Sequence, residues 1–389
     1  MGKWFMPSGE LKWDVLGGAF AGGAAIAITA WIIIHLSGAS AGNTAIPYTL
    51  QSENTAYVTT DERPTSNTDN GNAPSNPNRH NSSNTNTTES AAVPDENQPN
   101  ISVYISDKRK VENVPLEQYV LGVVAAEMPL EFEQAALEAQ AMAARTYIVR
   151  RWIADNREGV PDRKALVTDQ VTHQAYLSLA KVNALQETNP EGLRKARLAV
   201  ERTRDLVLTY EDQPIEALFF SASNGYTEDS EEVFPNKLPY LRAVPSPGDK
   251  ESVHNSVETV SMSLQDFFAK LDVSAFAVLG KGASKPNIRV LEWTEGHRVK
   301  LLLVGSVKLT GEEVRGKLGL RSASFDWKIK DGQIRITTYG NGHGVGMSQW
   351  GAEGMAKEGS SAEQIVEHYY SGARIAEASK LPEYANRIS

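Results

Sequence analysis

Residues 37–100 limit where this chain can fold. They are dominated by Asn, Ser, Thr and Pro, as in NGNAPSNPNRHNSSNTNTTES, and carry almost no large apolar side chains. Such a segment cannot bury enough surface to offset the entropy lost on ordering. We therefore predict a disordered linker, which as a random coil would span about 45 Å.

An apolar run precedes this linker. Residues 15–36 contain no Asp, Glu, Lys or Arg, and a helix of that length, about 33 Å, matches the roughly 30 Å core of a bilayer. A cleaved signal peptide is the alternative, because residues 39–41 (ASA) have the form of a cleavage site; the run nevertheless exceeds the usual apolar region of about 7 to 15 residues. We favour an uncleaved transmembrane helix. Lys3 and Lys12 before it predict a cytoplasmic segment 1–14, with the bulk of the chain outside.

Charge and cysteine content exclude several classes of function. The chain has 48 acidic and 39 basic residues, for a net charge of −9, and no cysteine. A general electrostatic footprint for nucleic acid is therefore missing, so we predict no DNA or RNA partner. Disulfides, thiolate catalysis and thiolate metal sites are also excluded.

Globular composition begins at residue 101 and continues to about 376, which leaves 377–389 as a predicted tail. Strand and helix patterns segregate along the chain instead of alternating as βαβ units, which indicates an α+β fold. We expect a helix-rich segment packed on a mixed or antiparallel sheet, with an inserted strand-rich lobe over 234–330. The patterns predict strands at 101–106, 206–210 and 215–220 and within 287–339. They predict one helix that ends before Pro129, two more at 131–152 and 190–204, and a last helix that begins at Ser360. Ser360 and Glu363 have the spacing of a capping box.

Glu127 is the first candidate for chemistry. It lies in the last turn of an apolar helix, in VVAAEMP. Partial burial and the negative end of the helix dipole both disfavour its anion, as a general acid requires. The alternative is a solvated glutamate at a helix end, and position alone favours neither interpretation.

Arg145 ends a helix face that contains six alanines between Ala135 and Ala144, over which another backbone could pack closely. An arginine there must find an acceptor or reach solvent. Taken alone, a structural ion pair, for example with a glutamate of the same helix, is the stronger interpretation than a substrate contact.

Two further segments could bind a polar ligand. In ALFFSASNGYTED an apolar strand runs into Ser221 and Ser223, whose hydroxyls could contact a ligand; an ordinary polar turn is the alternative. The glycine-rich YGNGHGVGMSQWGAEG presents His343, Ser348 and Gln349, a pattern that fits a sugar-binding turn better than a phosphate cradle. A merely tight connection is the alternative there.

Metal binding has little support in the sequence. The histidines lie at 35, 80, 173, 254, 297, 343 and 368, with neither HExxH nor a close pair. We predict no essential zinc and no cofactor.

Four motifs in order carry a resemblance to a known family. The chain contains EQYVLGVVAAEMP with AALEAQAMAARTY, then FFSASNGYTE, then PYLRAV, then GHGVGMSQWGAEGMAKEG. Together they resemble the stage II sporulation protein D family of bacterial lytic transglycosylases, which includes the amidase-enhancer type. The likeness spans residues 101–376, and the motifs are highly specific.

This resemblance implies cleavage of the β-1,4 bond between N-acetylmuramic acid and N-acetylglucosamine in peptidoglycan strands stripped of stem peptides. The family's single catalytic glutamate corresponds to Glu127. It would protonate the glycosidic oxygen and then deprotonate the 6-hydroxyl of the muramic acid, leaving a 1,6-anhydro end. Two-carboxylate glycosidases need a second acidic group; this reaction does not.

The resemblance also implies that Arg145, Tyr240, His343, Ser348 and Gln349 hold the glycan in a groove. Two positions depart from the family pattern: Phe220 stands where relatives often have a histidine, and Glu138 where they commonly have a lysine. A side-chain nitrogen and a basic substrate contact are missing at these positions.

The family further implies a role in engulfment during endospore formation, outside the cell membrane. The expected partners are the stage II sporulation proteins P and M. Two rivals remain: a glycan-binding enhancer that stimulates an amidase without cutting, and a glycosidase that releases reducing ends with water.

Overall fold

The computed structural model describes residues 98–252, 256–274 and 286–388. Within them no helix is long and apolar enough to cross a membrane. The predicted span at 15–36 and nearly all of the predicted linker at 37–100 lie outside the described residues.

The predicted α+β class is confirmed, with the strands distributed over several small sheets. The first half of the described chain is mainly helical. It contains β1 (Asn100–Ile105), β2 (Lys110–Pro115), α1 (Leu116–Glu127), α2 (Gln134–Ile153), β3 (Val167–Thr168), α3 (Leu179–Thr188), α4 (Pro190–Arg202), β4 (Leu206–Tyr210), β5 (Gln213–Pro214) and β6 (Phe219–Phe220).

The second half is richer in strands. It contains β7 (Val257–Ser263), α5 (Leu264–Lys270), β8 (Ile288–Trp293), β9 (Val299–Val304), β10 (Val307–Thr310), α6 (Gly311–Leu318), β11 (Phe325–Lys330), β12 (Gln333–Tyr339), β13 (Met347–Ser348), α7 (Gln349–Lys357), α8 (Ala362–Tyr369), β14 (Arg374–Glu377) and α9 (Pro382–Ile388). Short 3-10 helices lie at Ser230–Glu232, Pro247–Ser252 and Ala378–Lys380.

Helix α2 is the centre of the main core. Alanine, which adds little bulk, lets other elements approach its axis, and α1, α4, α7, α8 and β4 all pack against it. A helix buried on nearly every side needs apolar residues all round, and α2 meets this need with buried residues on every turn from Ala136 to Val149. The mixed sheet β2-β1-β3 and the antiparallel sheet β14-β4-β5 complete this part of the fold.

A second hydrophobic core forms within a stretch that overlaps the predicted lobe at 234–330. Two antiparallel sheets, β10-β9-β8 and β11-β12-β7, enclose it together with α5 and α6. Phe267, Phe268, Leu302, Val304 and Ile336 are among its buried members. The exact bounds of the lobe stay a prediction.

Three local predictions differ from the structure. The predicted strand at 215–220 is reduced to β6, because β5 ends at Pro214 and the residues between them join no ladder in the described sheets. The helix predicted from Ser360 is capped one residue later, where the hydroxyl of Ser361 accepts the N–H of Gln364 and the Gln364 side chain accepts the N–H of Ser361. The predicted tail at 377–389 contains α9, whose Tyr384 ring lies 5.3 Å from that of Trp152.

Replacing Ser361 by Ala should lower the free energy of unfolding by about 1 kcal/mol, because the N–H of Gln364 loses its acceptor. Ser360→Ala is the matched control, and its effect should stay within about 0.5 kcal/mol. Urea unfolding of both variants measures the difference. Equal losses would contradict the cap at Ser361.

Candidate active site

Glu127 is the last residue of α1, and its position follows from the proline two residues later. A residue before proline avoids the α region, and Met128 has extended backbone angles of φ −119° and ψ 144°. The helix therefore stops at Glu127, whose side chain stays partly exposed between two buried neighbours, Ala126 and Met128.

Two neutral groups donate hydrogen bonds to the Glu127 carboxyl. The backbone N–H of Ala175 lies 2.7 Å from Oε1, and Nε2 of Gln349 lies 3.4 Å from Oε2. Burial raises the pKa of Glu127 to about 7, and these two hydrogen bonds offset only part of that rise. A carboxyl group with this pKa can donate a proton and then take one back at neutral pH.

Helix α7 holds the connection that follows Glu127. Gln349 begins this helix, and the carboxylate of Glu353 one turn later accepts the N–H of Glu133 at 2.7 Å. The Trp350 ring packs edge-on against Phe132, with centroids 4.7 Å apart. The residues after Glu127 and the carboxyl itself are thus fixed to the same helix.

The loop that supplies the Ala175 N–H lies directly on α1. Its Leu177 N–H donates to the carbonyl of Gly122 at 3.1 Å, and Gln174 accepts the Tyr119 hydroxyl at 3.0 Å. A Cβ at Gly122 would lie 2.3 Å from the Tyr176 ring, so only glycine permits this approach. Sequence reasoning missed Ala175, because a backbone donor leaves no signature in the residue type.

A buried aspartate that the sequence did not single out connects three segments near the site. Asp249 is 3% exposed and accepts the hydroxyls of Ser223 (2.6 Å), Ser246 (2.7 Å) and Ser348 (2.9 Å), as well as the Ser223 N–H (3.1 Å). Burial raises its pKa, and these hydrogen bonds oppose the rise. The Ser348 hydroxyl also caps α7 by accepting the N–H of Gly351.

Ser223 and Ser348 consequently do not present hydroxyls to a ligand. They are 2% and 0% exposed, and both hydroxyl protons go to Asp249. Their predicted role as direct substrate contacts does not fit this arrangement. Instead they position the strand end at Ser223 and the start of α7, which carries Gln349.

Arg145 does not face a groove. Its guanidinium is fully buried and forms a bidentate ion pair with Glu117 of α1, at 2.6 Å and 3.0 Å. The remaining N–H groups donate to backbone carbonyls that include those of Val200 and Leu206. Arg145 therefore has no free N–H group for the expected substrate contact. It forms the structural ion pair instead, with a partner on the preceding helix.

Tyr240 lies in a different place from the partners of Glu127. It lines a cavity of about 300 Å³ together with Arg150, Tyr210 and Ile215. Its hydroxyl accepts the N–H of Glu216 at 3.1 Å. Neither Ala175 nor Gln349 lines this cavity, so the structure does not link it to Glu127. A glycan contact by Tyr240 stays a prediction.

His343 is partly buried between the rings of Phe220 and Phe234, at centroid distances of 5.7 Å and 5.5 Å. Burial, followed by the charges of Arg315 and Arg298, lowers its pKa to about 3, so the imidazole is neutral at physiological pH. Its Nδ1 accepts the N–H of Val345 at 3.1 Å. His343 therefore orders the glycine-rich turn.

The glycines of that turn serve packing within the protein. Gly344 and Gly346 have φ of 88° and 81°, which disfavour other residues. A Cβ on Gly344 would lie 2.4 Å from the guanidinium of Arg298, and one on Gly346 would lie 2.0 Å from the carbonyl oxygen of Leu218. These two glycines therefore allow a tight connection within the protein, and the close approach that they permit is to protein atoms and not to a sugar.

Of the predicted contacts, Gln349 bonds to the Glu127 carboxyl, and Ser221 bonds to the residue that follows Gln349. The carbonyl of Ser221 accepts the N–H of Trp350 at 3.0 Å, next to Gln349. Ser221 is partly exposed, and its hydroxyl has no partner among the residues that the structure describes. Within the same residues no cluster of three or more His, Asp or Glu could hold a metal ion, and the absence of zinc stays a prediction.

Comparisons with known proteins agree with the motif resemblance. A family model described as stage II sporulation protein matches residues 104–210. Stage II sporulation protein D of Bacillus amyloliquefaciens is 45% identical over 280 residues, and that of Bacillus subtilis (strain 168) is 44% identical over 279; each alignment covers 72% of this chain and 79% of the relative. The amidase enhancer of Bacillus subtilis is 27% identical over 301 residues, covering 65% of this chain and 40% of the relative.

Replacing Arg145 by Met should destabilise the protein by about 3–5 kcal/mol, because the largely buried charge of Glu117 loses its partner. Arg145→Lys should recover little of this loss, since an ammonium cannot reproduce the bidentate pair. Urea unfolding tests both variants. The double variant Glu117→Gln with Arg145→Met, which removes the uncompensated charge, should be more stable than Arg145→Met alone; unchanged stability in all three would contradict the structural role.

Proposed function

Because the chain belongs to the stage II sporulation protein D family, we propose that it is a sporulation cell-wall protein that acts as a lytic transglycosylase. Its substrate would be peptidoglycan strands stripped of stem peptides. The observation that carries this proposal is the partly exposed Glu127 carboxyl, with a pKa raised to about 7 by burial and with only neutral hydrogen-bond partners.

In the first step Glu127 is the acid. Its proton goes to the oxygen that joins C1 of N-acetylmuramic acid to C4 of N-acetylglucosamine, the C1–O bond breaks, and the departing sugar keeps that proton as a 4-hydroxyl. The carboxylate that forms accepts hydrogen bonds from Ala175 and Gln349. These donors need no reorganisation as the charge develops.

In the second step Glu127 is the base. The 6-hydroxyl of the same muramic acid attacks C1, its proton returns to the carboxylate, and a 1,6-anhydro ring closes. The proton count balances without water, so one carboxyl group suffices. Consistent with this, burial raises the pKa of Glu127 against the lowering effect of its two hydrogen bonds, and no charged group of the described residues contributes to the shift. A second carboxylate close by would raise the pKa further.

A glycan-binding enhancer of an amidase is the second candidate, and the similarity to the amidase enhancer of Bacillus subtilis favours it. In that role the surface around Glu127 would bind peptidoglycan and stimulate a partner without cleavage. A carboxyl group whose pKa is raised toward neutral suits proton transfer, which binding alone does not need, and we therefore place transglycosylase activity first.

The cellular setting follows from the same family and remains part of the proposal. The protein would be anchored by residues 15–36, with its described residues outside the membrane, and would act in engulfment. Stage II sporulation proteins P and M would be its partners, the first by removing stem peptides and so supplying the substrate.

Incubation of the purified full-length protein with peptide-free glycan strands, followed by mass spectrometry, tests the activity. We expect fragments that end in 1,6-anhydro-muramic acid. Glu127→Gln should lower their formation at least about 1,000-fold, since general acid–base catalysis alone contributes about 100- to 10,000-fold and this variant removes both roles. Ser360→Ala, outside the site, is the control.

Other products separate the rivals. Reducing ends without anhydro ends would mean hydrolysis by water. An intact strand that still binds, together with amidase stimulation that survives Glu127→Gln, would establish the enhancer instead.

A further inference from the structure

A second cavity, of about 390 Å³, opens beside the turn that joins β8 to β9. We call it the hairpin-tip pocket. Its walls include the rings of Tyr226, Trp293 and His297 and the carboxylates of Asp229 and Glu295. Its size falls in the range of about 300–1,000 Å³ that is usual for small-molecule sites.

The aromatic wall of the pocket is open to solvent. Trp293 is 57% exposed and Tyr226 is 39% exposed, although both side chains are large and apolar. The Tyr226 ring packs edge-on against His297 with centroids 4.5 Å apart, whereas the Trp293 indole contacts no other ring of the described chain. An exposed aromatic face of this kind is typical of a surface that binds a ligand.

The turn that carries these groups is rigidly supported. The buried carboxylate of Glu228 accepts the hydroxyl of Thr294 at 2.5 Å and the N–H of Gly296 at 3.3 Å. The Asn224 amide and the Arg298 guanidinium both donate to the Gly296 carbonyl, at 3.0 Å and 3.2 Å. Burying the Glu228 and Arg298 charges is costly. Here their hydrogen bonds fix the turn that follows Trp293 and carries Glu295 and His297.

Charge limits the ligand class. No Arg or Lys of the described chain lines the pocket, so an anionic ligand would meet only acidic groups. Asp229 is already used, because its carboxylate accepts the N–H of Ala243 at 2.7 Å and pairs with Arg242 at 3.2 Å. Glu295 is therefore the free hydrogen-bond acceptor, which suits a hydroxyl or an amide N–H.

The ring geometry favours a sugar over a cation. An ammonium group is held best when several ring faces surround it. Here the Tyr226 and His297 rings pack edge-to-face against each other, which leaves no space for a cation between them. A flat, solitary indole instead matches the C–H face of a pyranose, whose hydroxyls and acetamido N–H can reach Glu295. N-acetylglucosamine fits better than peptide-free muramic acid, whose carboxylate Glu295 would repel.

We propose that Trp293, Tyr226 and Glu295 form a distal subsite that binds an N-acetylglucosamine residue of the strand that Glu127 cleaves. This subsite rests on the proposed function for its substrate class. The chain path limits the distance between the two sites: the Gln349 side chain donates to the Glu127 carboxyl, the N–H of Trp350 donates to the carbonyl of Ser221, and Tyr226 lies five positions after Ser221. The two sites lie within about 30 Å along that path, a length that several linked sugars span.

Binding is measured by calorimetry on the full-length protein with Glu127→Gln, which prevents cleavage. The probes are uncharged β-1,4-linked N-acetylglucosamine oligomers, a trimer and a hexamer, and Nα-acetyl-lysine methyl ester as the ammonium rival. We expect the hexamer to bind more tightly than the trimer, and Trp293→Ala to weaken hexamer binding about tenfold. Val307→Ala, an exposed residue on the opposite edge strand of the same sheet, is the control and should change nothing.

Hexamer affinity that is unchanged by Trp293→Ala would overturn the subsite. The subsite would also be overturned if Trp293→Ala weakened binding of the lysine ester but not of the hexamer. A parent protein that binds neither oligomer would also overturn it. Thermal melting of Trp293→Ala, a surface substitution, should match the parent and so exclude unfolding as the cause. Because this assay needs no cleavage, a Trp293-dependent hexamer site would stand even if no anhydro product were found.

Discussion

The carboxyl of Glu127 is held between two neutral donors from segments that are distant in sequence, and placing those donors requires much of the rest of the structure. The Ala175 N–H reaches it because Gly122 lets a loop lie against α1. Gln349 reaches it because Asp249 and Ser348 fix the start of α7. Among the described residues no charged group shifts its pKa, so burial decides its proton affinity.

Buried charges elsewhere in the molecule fix geometry at some cost in stability. Arg145 and Glu117 join α1 to α2 and so place Glu127 relative to the central helix. Glu228 and Arg298 lie 3.7 Å apart and are 0% and 2% exposed, and each bonds to the backbone of Gly296 in the turn beside the hairpin-tip pocket. Such pairs are weak sources of net stability. Here one pair fixes the position of Glu127, and the other fixes the turn beside the hairpin-tip pocket.

The sequence singled out Glu127 as a candidate because it follows an apolar run and precedes Met128-Pro129, and the family resemblance then favoured a functional carboxyl over a solvated one. Sequence reasoning did not identify Asp249, whose partners Ser223, Ser246 and Ser348 come together only in the tertiary fold. It chose Ser360 over Ser361 because both serines have a suitable residue three positions later, and spacing cannot separate them. Arg145 was assigned to the groove by family likeness, whereas the physical alternative of a buried ion pair describes its contacts.

The most direct test of this account is the titration of the Glu127 carboxyl itself, by carbon-13 NMR of glutamate-labelled full-length protein with Glu127→Gln to assign the resonance. A folded-state pKa raised above 4.5 means that the proton stays bound as the pH passes 4.5 and leaves near pH 7. The account predicts a midpoint near 7. A midpoint near 4.5 would show an ordinary solvated glutamate and contradict its role as an acid.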